Sequence, residues 1–330
     1  MTNGRKPLSF RREARTPRVS IGLPVYNGAR YLQDAIETLL AQSYEDFELV
    51  ISDNGSTDET EEICRRYAAR DPRVRYYRES VNRGAAWNYR RTFELGRGDY
   101  FRWTAHDDTC SPGHLHACVD ALDAGPGVVL AFTRSSYIDE AGNPAGVEEM
   151  ETFDTRGLPP HARLRSLARH LQHASLLSGL IRREALAKTG LIRPYVASDY
   201  LLCSELALLG EFQELPQQLF QKRIHPGNSL RANVTQVDAA RWFDSANRQR
   251  FHFAYLRLLT GHLVVIAKAR LDLPEKLRSL WVVPGYWLPR YWRFIAKELL
   301  APFSPRFSSY QSWRPSSHQG STAVHKSAIR

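Results

Sequence analysis

The chain has 330 residues, 43% of them hydrophobic, and a formal net charge of +10. That composition excludes a fibrous or low-complexity protein and allows one large globular domain or two smaller ones. Residues 1–18 carry +5 and residues 268–330 carry +8, leaving −3 for the body between them, so the basic charge sits on the ends and not around a cleft. A nucleic-acid enzyme places its charge the other way, and no nucleic-acid partner is expected.

Residues 1–17 are Arg-rich and polar and read as a disordered, basic N-terminus. Val19 to Leu23 is a first strand, and Pro24-Val25-Tyr26-Asn27-Gly28 is a turn. Leu32, Ile36, Leu39 and Leu40 have helical spacing within residues 31–42. Phe47 to Ser52 is a second strand, followed by the turn Asp53-Asn54-Gly55. Ser56-Thr57-Asp58-Glu59 reads as a capping box that opens a helix to about Arg70. Val74 to Arg78 is a third strand, Gly84 to Leu95 a third helix, and Tyr100 to Thr104 a fourth strand. Alternating strands and helices predict a mostly parallel sheet flanked by helices. Ligands bind such sheets at the carboxyl ends of the strands. The turns bearing Tyr26 and Asn27, Asp53 and Asn54, and Asp107 and Asp108 are therefore expected to converge on one crevice.

Asp107 and Asp108 end the fourth strand's segment, and Ser111-Pro112-Gly113 then breaks the chain before a helix restarting at about Leu115. Two adjacent carboxylates at a buried strand end repel each other, and burial disfavours their charged forms. A divalent cation relieves both costs, and oxygen ligands suit Mg²⁺ or Mn²⁺ shared with a substrate phosphate. Asp is also a favoured turn and cap residue, which is the competing structural reading.

The segment Val19 to Gly28 resembles the opening of a family 2 glycosyltransferase. Ser52-Asp53-Asn54-Gly55-Ser56-Thr57-Asp58 resembles that family's second signature, and Asn82-Arg83-Gly84, Asn88 and Gly98-Asp99-Tyr100 resemble its approach to the metal motif. The likeness covers roughly residues 18–230. It implies the GT-A fold and a metal-dependent, inverting transfer of sugar from a nucleoside-diphosphate sugar to a glycan or lipid-linked acceptor. A setting in bacterial polysaccharide or cell-envelope glycan synthesis follows. On this resemblance Pro24, Tyr26, Asn27, Asp53, Asn54, Arg83 and Asp107 bind the donor nucleotide. Asp107, Asp108 and His225 hold Mn²⁺ or Mg²⁺, with His106 a weaker candidate. Asp199 is the catalytic base and Glu205 its reserve. Two positions depart from the family pattern. Asn54 replaces a common Asp, keeping an acceptor and adding a donor. Ala105 replaces the first Asp of the metal motif, which leaves fewer carboxylates for the cation. A catalytically inactive sugar-nucleotide-binding relative is thereby an alternative, and a nucleotidyltransferase is another.

Beyond the metal motif, Val128 to Thr133 is expected as a strand, residues 134–165 as irregular, and Ser198 to Leu209 as a helix. His173 to Arg183 resembles the family's acceptor-side segment, and Gln221 to Ser229 the loop that closes its active site. The expected organisation is a catalytic domain over 18–235, a helical C-terminal extension over 236–303 and a disordered tail over 304–330. Within the extension, Trp281, Trp287 and Trp292 lie among Lys and Arg. That mixture suits either peripheral contact with an anionic membrane or packing on the catalytic domain. Cys64, Cys110, Cys118 and Cys203 have no Cys-x-x-Cys spacing and read as free thiols. With no apolar signal core and no run near the ~18 residues of a spanning helix, the expected place is the cytoplasm, peripheral at the inner face of the membrane.

Overall fold

The structure is a computed structural model that describes residues 16–147, 152–170, 174–228, 233, 235–249 and 252–303. Most of the expected basic N-terminus, residues 304–330, His173 and Ser229 lie outside the described residues.

The first half is a run of βα units. Strands β1 (Val19–Val25), β2 (Phe47–Asp53), β3 (Val74–Arg78) and β4 (Tyr100–Trp103) alternate with helices α1 (Ala29–Leu40), α2 (Thr60–Arg70) and α3 (Ala85–Leu95). All three pairings are parallel, with Val19 opposite Phe47 and Tyr100, and Leu49 opposite Val74. β1 and β2 are buried along their whole length, as expected for a sheet covered on both faces. Ile21, Leu23, Leu49 and Ile51 pack with Leu32, Ile36 and Leu39 of α1, and Phe101 and Trp103 pack on the other face with Phe93 of α3. A Cβ at Gly22 would lie 2.7 Å from Thr92 Oγ1, so glycine there lets α3 approach the sheet. The expected capping box does not form. Glu59 is the N-cap of α2 without a side-chain cap. Ser56 Oγ accepts from Asn27 N at 2.9 Å instead, and Asp58 accepts from Thr60 N and Ala29 N. The four residues tie two turns together rather than closing one helix.

The second half is mixed. The sheet runs β3-β2-β1-β4-β8-β6-β9-β5, with β7 beside β6. Its added strands are β5 (Thr109–Cys110), β6 (Val128–Ile138), β7 (Pro144–Val147), β8 (Leu180–Arg182) and β9 (Glu211–Arg223). β8 is antiparallel to β4 and β6, whereas β6 and β9 are parallel from Val128 opposite Glu211 to Ile138 opposite Arg223. "Mostly parallel" therefore describes β1 to β4 and not the whole sheet. The stretch 134–165 is also more ordered than its sequence suggests: β6 continues to Ile138, and a helix starts at Pro160. Residues of β6 beyond Thr133 alternate weakly in polarity, and their pairing with β9 and β7 makes them strand.

Helix α4 (His114–Ala124) follows the carboxylate motif, α5 (Pro160–His170) and α6 (Arg183–Leu186) flank β8, and α7 (Ser198–Leu209) precedes β9. The C-terminal layer comprises α8 (Gln236–Phe243), α9 (Ala254–Lys268), α10 (Leu273–Val282) and α11 (Leu288–Leu300). Within the expected helical extension, residues 239–269 thus fall in two helices. A π-helical turn, Val283–Trp287, joins α10 to α11 and contains Pro284, which cannot continue the ordinary ladder. Tyr255 and Leu258 of α9 pack with Trp287, Tyr291 and Ile295, and with Leu201 of α7. All four cysteines are free and buried.

Candidate active site

The turns after β1, β2 and β4 meet. Asn27 sits at φ +50°, and its Oδ1 accepts from Thr57 N at 2.8 Å. Asn54 N donates to Val25 O at 2.9 Å. From below, Asn88 of α3 donates to both Val25 O and Ser52 O, holding the two strand ends together. His106 lies against the β1 turn: a Cβ at Gly28 would fall 2.6 Å from its ring.

The residues expected to bind a nucleotide divide into two groups. Tyr26, Asn27 and Arg83 are exposed at the mouth of the crevice. Pro24, Asp53 and Asn54 are buried. Asp53 Oδ1 accepts from Ser56 N at 2.8 Å, and Oδ2 accepts from Tyr76 OH at 2.8 Å with Arg78 at 3.4 Å. Asn54 donates to Asn82 Oδ1 and Gly84 O and accepts from Arg83 N. The side chains of Asp53 and Asn54 thus tie the turn after β2 to β3 and to the backbone at Arg83. The extra donor that Asn54 carries is engaged within the chain.

The carboxylate motif is organised by β9. β5 pairs Thr109 with Gln221, which brings the end of β9 beside Asp108. Arg223 N then donates to Asp108 Oδ1 at 3.0 Å, and its guanidinium reaches Asp107 O at 3.0 Å, Asp34 Oδ2 at 3.1 Å and the carbonyls of Asp139 and Glu140. The same guanidinium lies over the Tyr31 ring, which contacts the His225 ring at 4.7 Å. His225 Nε2 is 2.9 Å from Asp107 Oδ2. Burial, then the neighbouring Asp107 charge, holds the Asp108 carboxyl well above the usual range. Arg102, fully buried on β4 and above the Phe220 ring, offsets part of that shift. Arg223 and Tyr31 were not singled out by sequence. Arg223 stands two residues before His225 in the stretch already read as a closing loop, but nothing local marks it as a buried cation.

Among the described residues, no three His, Cys, Asp or Glu side chains are already gathered as a metal site. The donor set nevertheless fits a cation that takes part of its coordination from a substrate. Two desolvated, mutually repelling carboxylates stand side by side, with an imidazole beside one of them.

Asp199 lies in the first turn of α7, which begins after Ala197 at φ +67°. The N-cap is Ala197, so Asp199 does not cap the helix. Burial raises its carboxyl to about 6. Glu205, its reserve, accepts from Gly190 N and pairs with Arg193 at 2.6 Å, which leaves it a structural role. Tyr89 of α3 connects the two acidic regions. Burial, then the charges of Asp107, Asp108 and Asp199, pushes its phenol up. The charges of the carboxylates after β4 and of the one on α7 thus all act on the Tyr89 phenol.

A family model described as "Glycosyl transferase family 2" matches residues 20–190. The chain belongs to glycosyltransferase family 2. It is 28% identical over 289 residues to an uncharacterized protein, y4gI, of Sinorhizobium fredii, covering 86% of this chain and 30% of that one. It is 33% identical over 129 residues to a chondroitin synthase of Escherichia coli, covering 39% of this chain and 19% of that one. The chain spans about a third or less of the length of the first curated relatives it matches. The fold is similar to that of S. aureus TarS residues 1–349 in complex with UDP-GlcNAc, with TM-score 0.63 and 18% identity over 87% of this chain and 76% of that one. A mannosyltransferase of Pyrobaculum calidifontis, in complex with GDP-Man and Mn²⁺, matches with TM-score 0.51 and 16% identity over 90% of this chain and 84% of that one. The GT-A fold of this family 2 glycosyltransferase thus takes in both the parallel first half and the helical C-terminal layer.

Proposed function

We propose that this glycosyltransferase moves a sugar from a nucleoside-diphosphate sugar to a hydroxyl of a glycan or lipid-linked acceptor, with inversion, in the synthesis of a bacterial polysaccharide or envelope glycan. The observation that carries the reading is the adjacent pair Asp107 and Asp108, held by Arg223 and His225 beside the turn after β1, which His106 touches at Gly28. It supports a leaving-group side to the crevice, with Asp199 assigned to the acceptor side. Tyr26, Asn27 and Arg83 take the nucleotide at the wall shaped by Pro24, Asp53 and Asn54. Asp107 and Asp108, with His225, would hold Mn²⁺ or Mg²⁺, which neutralises charge on a diphosphate leaving group. The acceptor hydroxyl attacks the anomeric carbon and gives its proton to Asp199. The bond from that carbon to the diphosphate oxygen breaks, and the nucleoside diphosphate departs with the electron pair. One displacement inverts the centre. A base at about 6 is ionised at neutral pH yet basic enough to accept the proton. The enzyme on this reading works in the cytoplasm beside an anionic membrane surface.

Asp199→Asn tests the assignment. Turnover is expected to fall ~10²–10⁴-fold with donor affinity little changed. In the unsubstituted enzyme kcat/KM should drop below about pH 6, where Asp199 protonates. Near-normal turnover in the variant removes Asp199 as base, a product with the donor's anomeric configuration removes the single displacement, and pyrophosphate release would point to nucleotidyl transfer.

A further inference from the structure

The C-terminal layer has two faces of different character. Tyr291, Ile295 and Glu298, three and four residues apart, form the buried stripe of α11. A flank about a quarter-turn round the helix carries Trp292, Leu299 and, just past the helix, Phe303, with Trp292 52% and Phe303 84% exposed. α10 repeats the pattern. Leu273, Leu277 and Trp281 recur every four residues and are 69%, 57% and 72% exposed. Exposed apolar side chains of this size, in two helical stripes, imply a partner.

The charges say which partner. Lys268, Arg270, Arg278 and Arg293 are exposed in the same layer. The three acids of residues 268–303 are engaged within the chain. Asp272 caps α10 by accepting from Glu275 N, Glu275 holds His161 and lies 3.7 Å from the exposed Arg278, and Glu298 is buried beneath the first turn of α9, accepting from Tyr255 N and Leu256 N. Two candidate occupants are disfavoured by the same electrostatics. Residues 304–330 contain four Lys or Arg and no Asp or Glu, so folding that tail back would set cation against cation. A second copy docking through the same face would do likewise.

We infer that the exposed face of α10 and α11 docks on an anionic lipid surface, with Trp281, Trp292 and Phe303 entering the interfacial zone and Lys268, Arg270, Arg278 and Arg293 meeting lipid headgroups. Interfacial helices have this composition, and basic residues near such a surface add to binding one by one. The described helices are not long and apolar enough to cross a membrane, so the contact is peripheral. α9 of this layer packs on α7, whose first turn carries Asp199. Docking would therefore hold the acceptor side of the crevice beside the bilayer, where a lipid-linked acceptor resides. That purpose rests on the proposed transferase reading, whereas the binding itself is measured without turnover.

Co-sedimentation of the full chain with phosphatidylcholine vesicles, with and without phosphatidylglycerol, tests the inference. Binding is expected only with the anionic lipid and should weaken at high salt. Trp281→Ser with Trp292→Ser, and separately Arg278→Glu with Arg293→Glu, should each lower partitioning at least about ten-fold. Both pairs are on the surface, and unchanged nucleotide-sugar thermal shifts would show an intact donor site. A chain ending at residue 303 should retain binding. Equal binding to neutral vesicles overturns the anionic partner. Loss of binding on truncation together with full binding by the face variants gives the role to the tail. A dimer abolished by the Trp variants gives it to a second copy. Vesicle binding with no response to any sugar nucleotide would sink the transferase reading and leave the docking face standing.

Discussion

The two halves of this enzyme are built by different rules. From β1 to β3, each strand is followed by its own helix and pairs with the next strand along the chain, and β4 then closes the run on β1. From β5 onward the order is β4-β8-β6-β9-β5, so neighbours come from distant segments. The first half is consequently regular, with β1 paired to β2 over seven consecutive positions, while the β6–β9 pairing has register shifts at three places. The candidate site lies where the two meet. The turns after β1, β2 and β4 come from the regular half, but Arg223, His225 and Asp199 come from the other. The turns of the first half are placed by local units, whereas Arg223, His225 and Asp199 are placed by chain brought from far away, under weaker local control.

The largest effect should come from the seam itself. Asp108→Ala is expected to keep the fold and lose at least about 10³-fold in turnover, because leaving-group charge is no longer offset. Circular dichroism and steady-state rates check it, and full activity of the unsubstituted enzyme in excess EDTA would rule the cation out.

Trp287→Ala asks how independent the C-terminal layer is. Trp287 fills the space between His262 and Tyr291. Its removal should cost about 3–5 kcal/mol. Amide exchange should rise in α9 to α11 while β1 to β4 stay protected. Uniform exposure of both halves would mean that they unfold as one unit.

Arg223→Met breaks the clasp between the halves. Burial of Asp107 O and the Asp139 and Glu140 carbonyls without their donor should cost about 2–3 kcal/mol in urea denaturation. The Mn²⁺ concentration needed to raise the melting temperature should also increase. Unchanged Mn²⁺ response with lowered stability would reduce Arg223 to a brace of the fold.

The smallest effect is a pH dependence confined to the layer. Burial raises Glu298 to about 7 from an ordinary 4.5, against the pull of the α9 amides. The folded state therefore binds its proton more tightly than the unfolded state does. The stability from this group is fully present below about pH 4.5 and is lost as pH rises through about 7. Glu298→Gln should flatten the slope, a change of about 1–3 kcal/mol across that window. An identical slope in the variant would assign the dependence to another group.

Much of the donor half was legible from residues alone. The 3.6-residue spacing of Leu32, Ile36 and Leu39 placed α1, and the apolar runs around Ile21 and Leu49 placed two central strands, because period and burial act locally. The capping box failed because Ser56 and Asp58 found partners across the chain at Asn27 and Ala29, which no local pattern encodes. β8 and the far end of β6 were invisible for the same reason: their hydrogen bonds go to segments tens of residues away.

By itself, then, the sequence determined an α/β frame and its family, both of which rest on short-range periodicity and motif order. Tertiary structure alone decided which polar groups are free and which are engaged. Asp53, Asn54 and Glu205 look like site residues in the chain, yet their oxygens and amides are satisfied internally. Arg223 looks like an ordinary surface cation, yet it is buried with five hydrogen bonds to the motif loop, α1 and the turn after β6. A side chain's availability depends on its neighbours in space, and those neighbours are supplied by pairings such as β5 with β9 that join residues more than a hundred positions apart.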